Sequence, residues 1–161
     1  MSALRYVSTR GAAPELGFAD VLLVGLADDG GLYVPTEIPP LPAGWDAERP
    51  YADIAAAVMW PYVEGAFERA AFDALVADAY RTFDHPDVVP VRRLEDGLYL
   101  TELFWGPTLA FKDVALQLVG RLFDAELGRR NARVTVVGAT SGDTGSAAIE
   151  ALRDREAVDC F

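Results

Sequence analysis

The hydrophobic residues in the first ninety positions recur at the spacing of amphipathic helices. Three segments show this spacing and lie at residues 18–26, 51–59 and 67–83. The last of them carries an apolar residue every four positions, at Ala71, Leu75, Ala79 and Phe83. With short extended pieces at residues 5–9 and 32–34, this part of the chain is predicted to be mostly helical.

Beyond Pro90 the pattern changes to an alternation of strands and helices. Strands are predicted at residues 98–103, 134–137 and 158–161, and helices at residues 114–127 and 145–152. Such alternation is typical of βαβ units in a parallel sheet, and residues 134–137 are apolar on both faces, as in a central strand. We therefore predict an α/β fold: a mostly helical N-terminal subdomain at residues 1–90, followed by the start of a parallel-sheet βαβ domain at residues 91–161.

The last predicted strand stops inside an apolar run that ends at Phe161, without a turn residue or a polar cap. A parallel sheet of three strands with an open edge would leave backbone groups unpaired. This pattern predicts that the sequence is a truncated part of a longer enzyme.

Composition and charge narrow the classes of function. The net charge of -11 opposes contact with polyphosphate backbones, so nucleic acid is not expected as a partner. No apolar run approaches the roughly 18 residues of a membrane span, and charged residues interrupt any signal-peptide core, which predicts a cytoplasmic protein. A single cysteine, Cys160, and a single histidine, His85, argue against a metal site, and both are interpreted as structural.

The basic residues single out one position, because 13 of the 14 are arginine and Lys112 is the only lysine. An amine can form a Schiff base, whereas a guanidinium cannot. Lys112 falls at the predicted start of a helix, and burial among Phe104, Leu109 and Phe111 is expected to favour its uncharged, nucleophilic form. The alternative is an exposed lysine at a helix start, with Asp113 serving only the helix end.

A second candidate motif is the glycine-containing segment at residues 136–146, which runs from a predicted strand into a helix. The glycines let the backbone approach a ligand, and free amides at the helix start favour an anionic group. Gly138, Gly142 and Gly145 have the spacing GxxxGxxG, which differs from the dinucleotide fingerprint GxGxxG. The alternative is a tight turn whose glycines serve only helix–sheet packing.

Four segments together carry a resemblance to a known family. They are YVSTRG at residues 6–11, DGGLYVP at 29–35, GPTLAFKDVALQ at 106–117 and GATSGDTGSAA at 138–148. In sequence and order they resemble the pyridoxal-phosphate enzymes of the tryptophan-synthase β-like fold, and in detail the threonine synthase family.

The resemblance implies that Lys112 carries pyridoxal 5'-phosphate as a Schiff base. It also implies that Asp143 faces this cofactor and that the amino-acid part of a small-molecule substrate is received by one loop, formed by Thr140, Ser141, Gly142, Asp143 and Thr144. The family reaction is a lyase reaction that converts O-phosphohomoserine and water to threonine and phosphate. In this reaction Lys112 would act as the base at Cα and then assist removal of a Cβ proton.

Two departures from the family pattern leave alternatives open. Trp105 stands where the family motif has histidine, so Trp105 is either simple packing or a change that leads to another O-phosphorylated amino acid as substrate. The family's glycine-rich phosphate loop and the hydroxyl residue at the pyridine nitrogen come after the position of Phe161, so this chain alone is expected to be inactive. A third interpretation is a non-catalytic remnant that acts as an interaction module through an unfinished sheet edge.

Overall fold

The computed structural model describes residues 3–44 and 48–161. In this part the elements follow one another as β1 (Arg5–Ser8), β2 (Leu16–Gly17), α1 (Phe18–Val24), β3 (Tyr33–Pro35), α2 (Tyr51–Val63), α3 (Arg69–Tyr80), β4 (Val91–Glu95), β5 (Leu98–Thr101), α4 (Asp113–Arg129), β6 (Val134–Val136), α5 (Asp143–Leu152) and β7 (Val158–Cys160). The mixture of helices and small sheets confirms the predicted α/β class.

The elements form two compact units. The first unit comprises Met1–Arg49 and Asp53–Ala74, and the second comprises Pro50–Ala52 and Leu75–Phe161. A compact unit defined by contacts need not coincide with an evolutionary domain. The predicted subdomain boundary at residue 90 therefore stays a prediction.

In the first unit, β1 lies between β2 and β3 in an antiparallel sheet. Tyr6 of β1 is buried, and its hydroxyl donates a hydrogen bond of 2.7 Å to the carbonyl of Tyr62. Burial, with the nearby Tyr62, raises the pKa of Tyr6 to about 12. A series of aromatic contacts continues from Tyr6 through Phe18 and Phe67 to the fully buried Phe72. This aromatic series forms the core of the unit.

The turn before β3 is organised by the carboxylate of Asp29. It accepts hydrogen bonds from the Ser8 hydroxyl at 2.7 Å and from the backbone amides of Gly31, Ala12 and Ala13 at 2.9–3.1 Å. The Ser8 bond chiefly, with the amides, outweighs the opposing effect of desolvation and lowers the pKa of Asp29 to about 2. One ionised side chain therefore joins the segments at residues 6–11 and 29–35.

We expect Asp29 to make the stability of the protein depend on pH in the acid range. Its pKa is lower in the folded chain than the ordinary value of 3.8, so the carboxylate stabilises the fold fully above about pH 4. That contribution is lost as the pH falls towards 2. Measured by denaturant unfolding, the stability difference between the native protein and Asp29→Asn should shrink from pH 5 to pH 2.

The matched variant for this test is Asp28→Asn, which removes an equal charge from an exposed neighbour that accepts none of these hydrogen bonds. A stability difference for Asp29→Asn that stays constant from pH 5 to pH 2 would contradict the assignment.

The predicted apolar row of helix α3 is buried only in its second half. Ala79 and Phe83 are buried as predicted, but Ala71 is exposed and Leu75 is half-buried, and Phe72 and Val76 fill the core in their place. The physical reason is the helix pitch: with 3.6 residues per turn, positions spaced by four rotate about 40° per step, so the row from Ala71 turns from solvent to core. Helix α2 also differs from its prediction, because it continues through Pro61 to Val63.

The predicted strand at residues 98–103 exists in a shorter form, but its predicted place in a parallel sheet is wrong. β5 pairs antiparallel with β4 as a separate two-stranded hairpin, and all nine residues of the two strands are exposed. Asp96 and Gly97 connect the strands, with Gly97 at a φ of 79°. An Asp-Gly pair is a strong signal for a tight hairpin turn, which explains the antiparallel pairing.

The βαβ unit at the end of the chain is as predicted, since β6 and β7 pair in parallel and α5 connects them. In the described residues β6 has β7 as its one neighbour, so its predicted central position is not observed. Cys160 is exposed in β7, whereas a free cysteine in an apolar strand is expected to be buried, so its structural interpretation as part of the core is wrong. A cavity of about 170 Å³ with an entirely apolar lining lies where α4, α5 and Val136 of β6 meet.

Helices α4 and α5 pack against each other at Gly120 and Ala151. A Cβ atom at position 120 would lie 2.3 Å from the Ala151 carbonyl oxygen, so only glycine allows this approach. We expect Gly120→Ala to destabilise the protein by about 1–3 kcal/mol in denaturant unfolding, because the two backbones must separate.

The control is Gly128→Ala in the same helix, where an added Cβ meets no atom within 4 Å. Alanine should stabilise the helix there by about 0.4–1 kcal/mol, because it restricts the unfolded chain. Equal effects of the two variants would contradict the close contact at Gly120.

Candidate active site

Lys112 lies at the N-terminal boundary of α4, at the predicted place, and its side chain is half-buried. Its ammonium Nζ lies 4.6 Å from the centre of the Phe111 ring, and it forms no ion pair within residues 3–44 and 48–161. The predicted apolar enclosure is wrong for this part of the chain, since the exposed fractions of Phe104, Leu109 and Phe111 are 50%, 67% and 57%. Lys112 is therefore an accessible amine.

The turn that leads to Lys112, residues 106–113, is packed around a carboxylate instead of apolar side chains. We call it the lysine turn. Asp113 is fully buried and accepts a 2.8 Å hydrogen bond from the Thr108 amide and 2.9 Å bonds from the Thr108 hydroxyl. A Cβ atom at Gly106 would lie 2.4 Å from the Asp113 Cβ, so the turn requires glycine there. Asp113 thus reaches back into the turn and does not serve only the helix end.

Leu109, in the middle of the lysine turn, has a φ of 64°. This left-handed conformation costs a residue with a side chain roughly 1–3 kcal/mol. Two backbone bonds of 3.0 Å, from the Leu109 amide to the Gly106 carbonyl and from the Asp113 amide to the Ala110 carbonyl, close the turn around it. A positive φ at leucine has no signal in the sequence, so this arrangement is visible only in the structure.

Trp105, which precedes the lysine turn, is held in place by a buried acid. Its indole N–H donates a 3.0 Å hydrogen bond to Glu102, which is 7% exposed and lies 3.5 Å from Arg92. The ring of His85 packs on Trp105 with 5.1 Å between centroids, and the His85 Nδ1 accepts a hydrogen bond from the Asp87 amide. His85 is distant from the motif in sequence but adjacent to it in space, where it makes structural contacts.

The proposed substrate loop follows β6. Gly142 has φ 105° and ψ -162°, a backbone conformation that is essentially restricted to glycine. Asp143 and Thr144 are the first residues of α5, which begins two residues before its predicted start. The five residues from Thr140 to Thr144 are all exposed.

Gly145 explains the shape of this loop. A Cβ atom at Gly145 would lie 2.0 Å from the Cγ2 of Thr140, so the Thr140 side chain occupies the space that a larger residue would fill. The helix start has no side-chain cap, and the Ser146 amide donates to the Gly142 carbonyl at 3.2 Å. The amides of the first turn are thus open to an anionic group.

Lys112 and the loop at residues 140–144 belong to the same unit and lie at the starts of the two packed helices. Each lies about two helical turns from the contact between Gly120 and Ala151. No hydrogen bond or ion pair joins Lys112 to the loop in the described part of the chain. Within that part, no helix has the length and apolarity needed to span a membrane, and no three His, Cys, Asp or Glu residues cluster as metal ligands.

Comparison with known proteins gives a consistent result. The family model described as threonine synthase N terminus matches residues 5–80. A threonine synthase of Pseudomonas aeruginosa is 52% identical over 162 residues, which cover 98% of this chain and 34% of the relative. The chain therefore spans about a third of the length of the curated relatives it matches.

Solved structures show the same relationship. The crystal structure of PLP-bound threonine synthase from Brucella melitensis superimposes with a TM-score of 0.92 at 48% identity, over 99% of this chain and 35% of that one. Threonine synthase from yeast superimposes with a TM-score of 0.90 at 40% identity, over 98% of this chain and 34% of that one. The chain belongs to the threonine synthase family and corresponds to the N-terminal third of its members.

Proposed function

We propose that this chain is the N-terminal part of a pyridoxal-phosphate-dependent lyase that converts O-phosphohomoserine and water to threonine and phosphate. The observation that carries the proposal is an accessible amine, Lys112, at a helix start within a family whose solved member from Brucella is described as PLP-bound. The reaction is placed in the cytoplasm. The rest of the full-length protein would complete the site, so we expect residues 1–161 alone to be inactive.

The residues present fit the cofactor. Lys112 has no carboxylate partner in the described residues, which leaves its amine available for covalent attachment. When bound, pyridoxal phosphate would supply an electron sink for the bonds at the substrate Cα. The Lys112 amine would be the base that removes the proton from the substrate Cα and then assists removal of a proton from Cβ.

Residues 140–144 would orient the substrate. The open amides at the start of α5 suit the substrate carboxylate, and the conformation of Gly142 lets the backbone approach it closely. Asp143, in the first turn of α5, is assigned to the side that faces the cofactor. In this assignment the loop binds and orients the substrate, and Lys112 moves the protons.

Two other functions have specific observations in their favour. Trp105 stands where the family motif has histidine, and the missing imidazole at this position favours a lyase for another O-phosphorylated amino acid. Analysis of the products formed from O-phosphohomoserine and from O-phosphoserine would distinguish this alternative substrate from that of threonine synthesis. The exposed β4–β5 hairpin favours a non-catalytic interaction module. This second alternative requires that the full-length protein take up no cofactor on Lys112.

The decisive experiment is borohydride reduction of the full-length protein with pyridoxal phosphate, followed by peptide mass spectrometry. We expect a stoichiometric pyridoxyl adduct on Lys112. A matched control is Arg81→Lys, which adds a second lysine at a side chain that is 79% exposed and should acquire little adduct. Absence of an adduct on Lys112 in the folded protein, or equal labelling of both lysines, would overturn the assignment.

A further inference from the structure

The lysine turn contains a buried carboxyl group, that of Asp113, which the proposed reaction does not use. Asp113 is fully buried, and in the described part of the chain no cation pairs with it. Its side-chain hydrogen bonds come from one residue, Thr108, which lies four positions before Lys112. Because a buried carboxyl group without hydrogen-bond partners is costly, we expect these bonds to determine the local backbone conformation.

The bonds between Thr108 and Asp113 span the strained residue of the turn. Leu109 has its positive φ directly after Thr108, and its side chain is 67% exposed, so side-chain packing does not impose this conformation. Strained backbone persists where surrounding contacts over-determine it. Two sets of contacts can maintain the positive φ of Leu109: the hydrogen bonds to the Asp113 carboxylate and the backbone hydrogen bonds of the turn.

We propose that Asp113 is the positioning residue of Lys112. By holding Thr108, it fixes the path of residues 109–111 and with it the direction from which the Lys112 amine reaches the cofactor. Asp113 does not itself touch the reacting atoms. The inference rests on the proposed function and adds to it a residue that sets the orientation of the cofactor lysine.

A set of variants can separate the effect of the Thr108–Asp113 hydrogen bonds on the lysine turn from their effect on the stability of the whole protein. Thr108→Val removes the hydroxyl bonds, and Thr108→Ser should restore them. Asp113→Ala removes the acceptor, whereas Asp113→Asn keeps an oxygen for the Thr108 amide and an NH2 group that donates to its hydroxyl. The control Thr82→Val removes a comparable bond, 2.8 Å to the Ala79 carbonyl, from another half-buried threonine.

Two readouts in the full-length protein test the proposal. In the cofactor-free protein, amide hydrogen exchange at positions 108, 109 and 113 should accelerate roughly two- to tenfold in Thr108→Val. With pyridoxal phosphate bound, the visible circular dichroism per bound cofactor should change in Thr108→Val and Asp113→Ala. Thr108→Ser and Asp113→Asn should return both readouts towards the native values, and Thr82→Val should leave both unchanged.

The outcomes that overturn the inference are distinct from failure of the proposed function. One such outcome is that the native protein forms the Lys112 adduct, but Thr108→Val has the same amide exchange rates and the same visible circular dichroism as the native protein. Asp113 then does not position Lys112. The same conclusion holds if Thr82→Val shifts both readouts as much as Thr108→Val. If the native protein forms no adduct, both the function and the inference are overturned. Should Asp113→Ala fail to fold, the two Thr108 variants still decide the question.

Discussion

For the proposed reaction, replacing Lys112 by alanine in the full-length protein is expected to lower the rate of threonine formation by at least roughly 10²–10⁴-fold, the contribution of positioned proton transfer alone. Covalent attachment of the cofactor would be lost as well, so the visible absorbance that we expect from cofactor bound to Lys112 should be absent from this variant. The unfolding free energy should change little, because the ammonium forms no ion pair in the described residues. Steady-state product analysis and denaturant unfolding would measure these two effects.

Lys112→Arg is the matched control for this prediction. Arginine retains the positive charge at the start of α4 but cannot form a Schiff base or accept a proton at neutral pH. We therefore expect Lys112→Arg to be as inactive as Lys112→Ala. Substantial activity in the arginine variant would show that Lys112 supplies only charge.

Replacing Phe72 by alanine is expected to have the largest effect on stability, about 3–5 kcal/mol. The side chain is fully buried, and its ring lies 6.0 Å from the Trp60 ring and 6.3 Å from the Phe67 ring between centroids. Its removal leaves a cavity in the aromatic core of the first unit. A loss of this size is a large fraction of the roughly 5–15 kcal/mol by which native domains are stable, so the variant should also accumulate poorly in cells.

The comparison for Phe72→Ala is Leu75→Ala in the same helix. Leu75 belongs to the row of apolar residues spaced by four, yet it is only half-buried, so its removal should cost clearly less. If Leu75→Ala were the more destabilising of the two in denaturant unfolding, the sequence-based face of α3 would be correct and the structural one wrong.

The sequence predicted those features of the fold that depend on local pattern. The βαβ unit at the end of the chain and the position of Lys112 at a helix start follow from hydrophobic spacing and turn residues. Hydrophobic spacing alone groups the strand at Leu98–Thr101 with the later parallel pattern. The signal for its antiparallel pairing is the turn pair Asp96 and Gly97.

Other features depend on contacts that spacing does not encode. His85 and Trp105 are twenty residues apart in the sequence, and only tertiary packing brings their rings into contact. The role of Asp113 in the lysine turn depends on a side chain that reaches backwards to Thr108, where the pattern suggested a residue for the helix end. The family segments located both parts of the candidate site, and the structure adds the polar contacts that shape them.

The fully exposed β4–β5 hairpin has a consequence for behaviour in concentrated solution. Val91, Leu94 and Tyr99 are each more than half exposed on a two-stranded ribbon, a surface that favours intermolecular β-pairing. Arg92 and Arg93 lie within β4, and the ladder is irregular between Arg93 and Glu95, two features that hinder such pairing. We therefore expect replacement of both arginines to increase aggregation in concentrated solution, an effect separate from the ion pair that Arg92 forms with the buried Glu102.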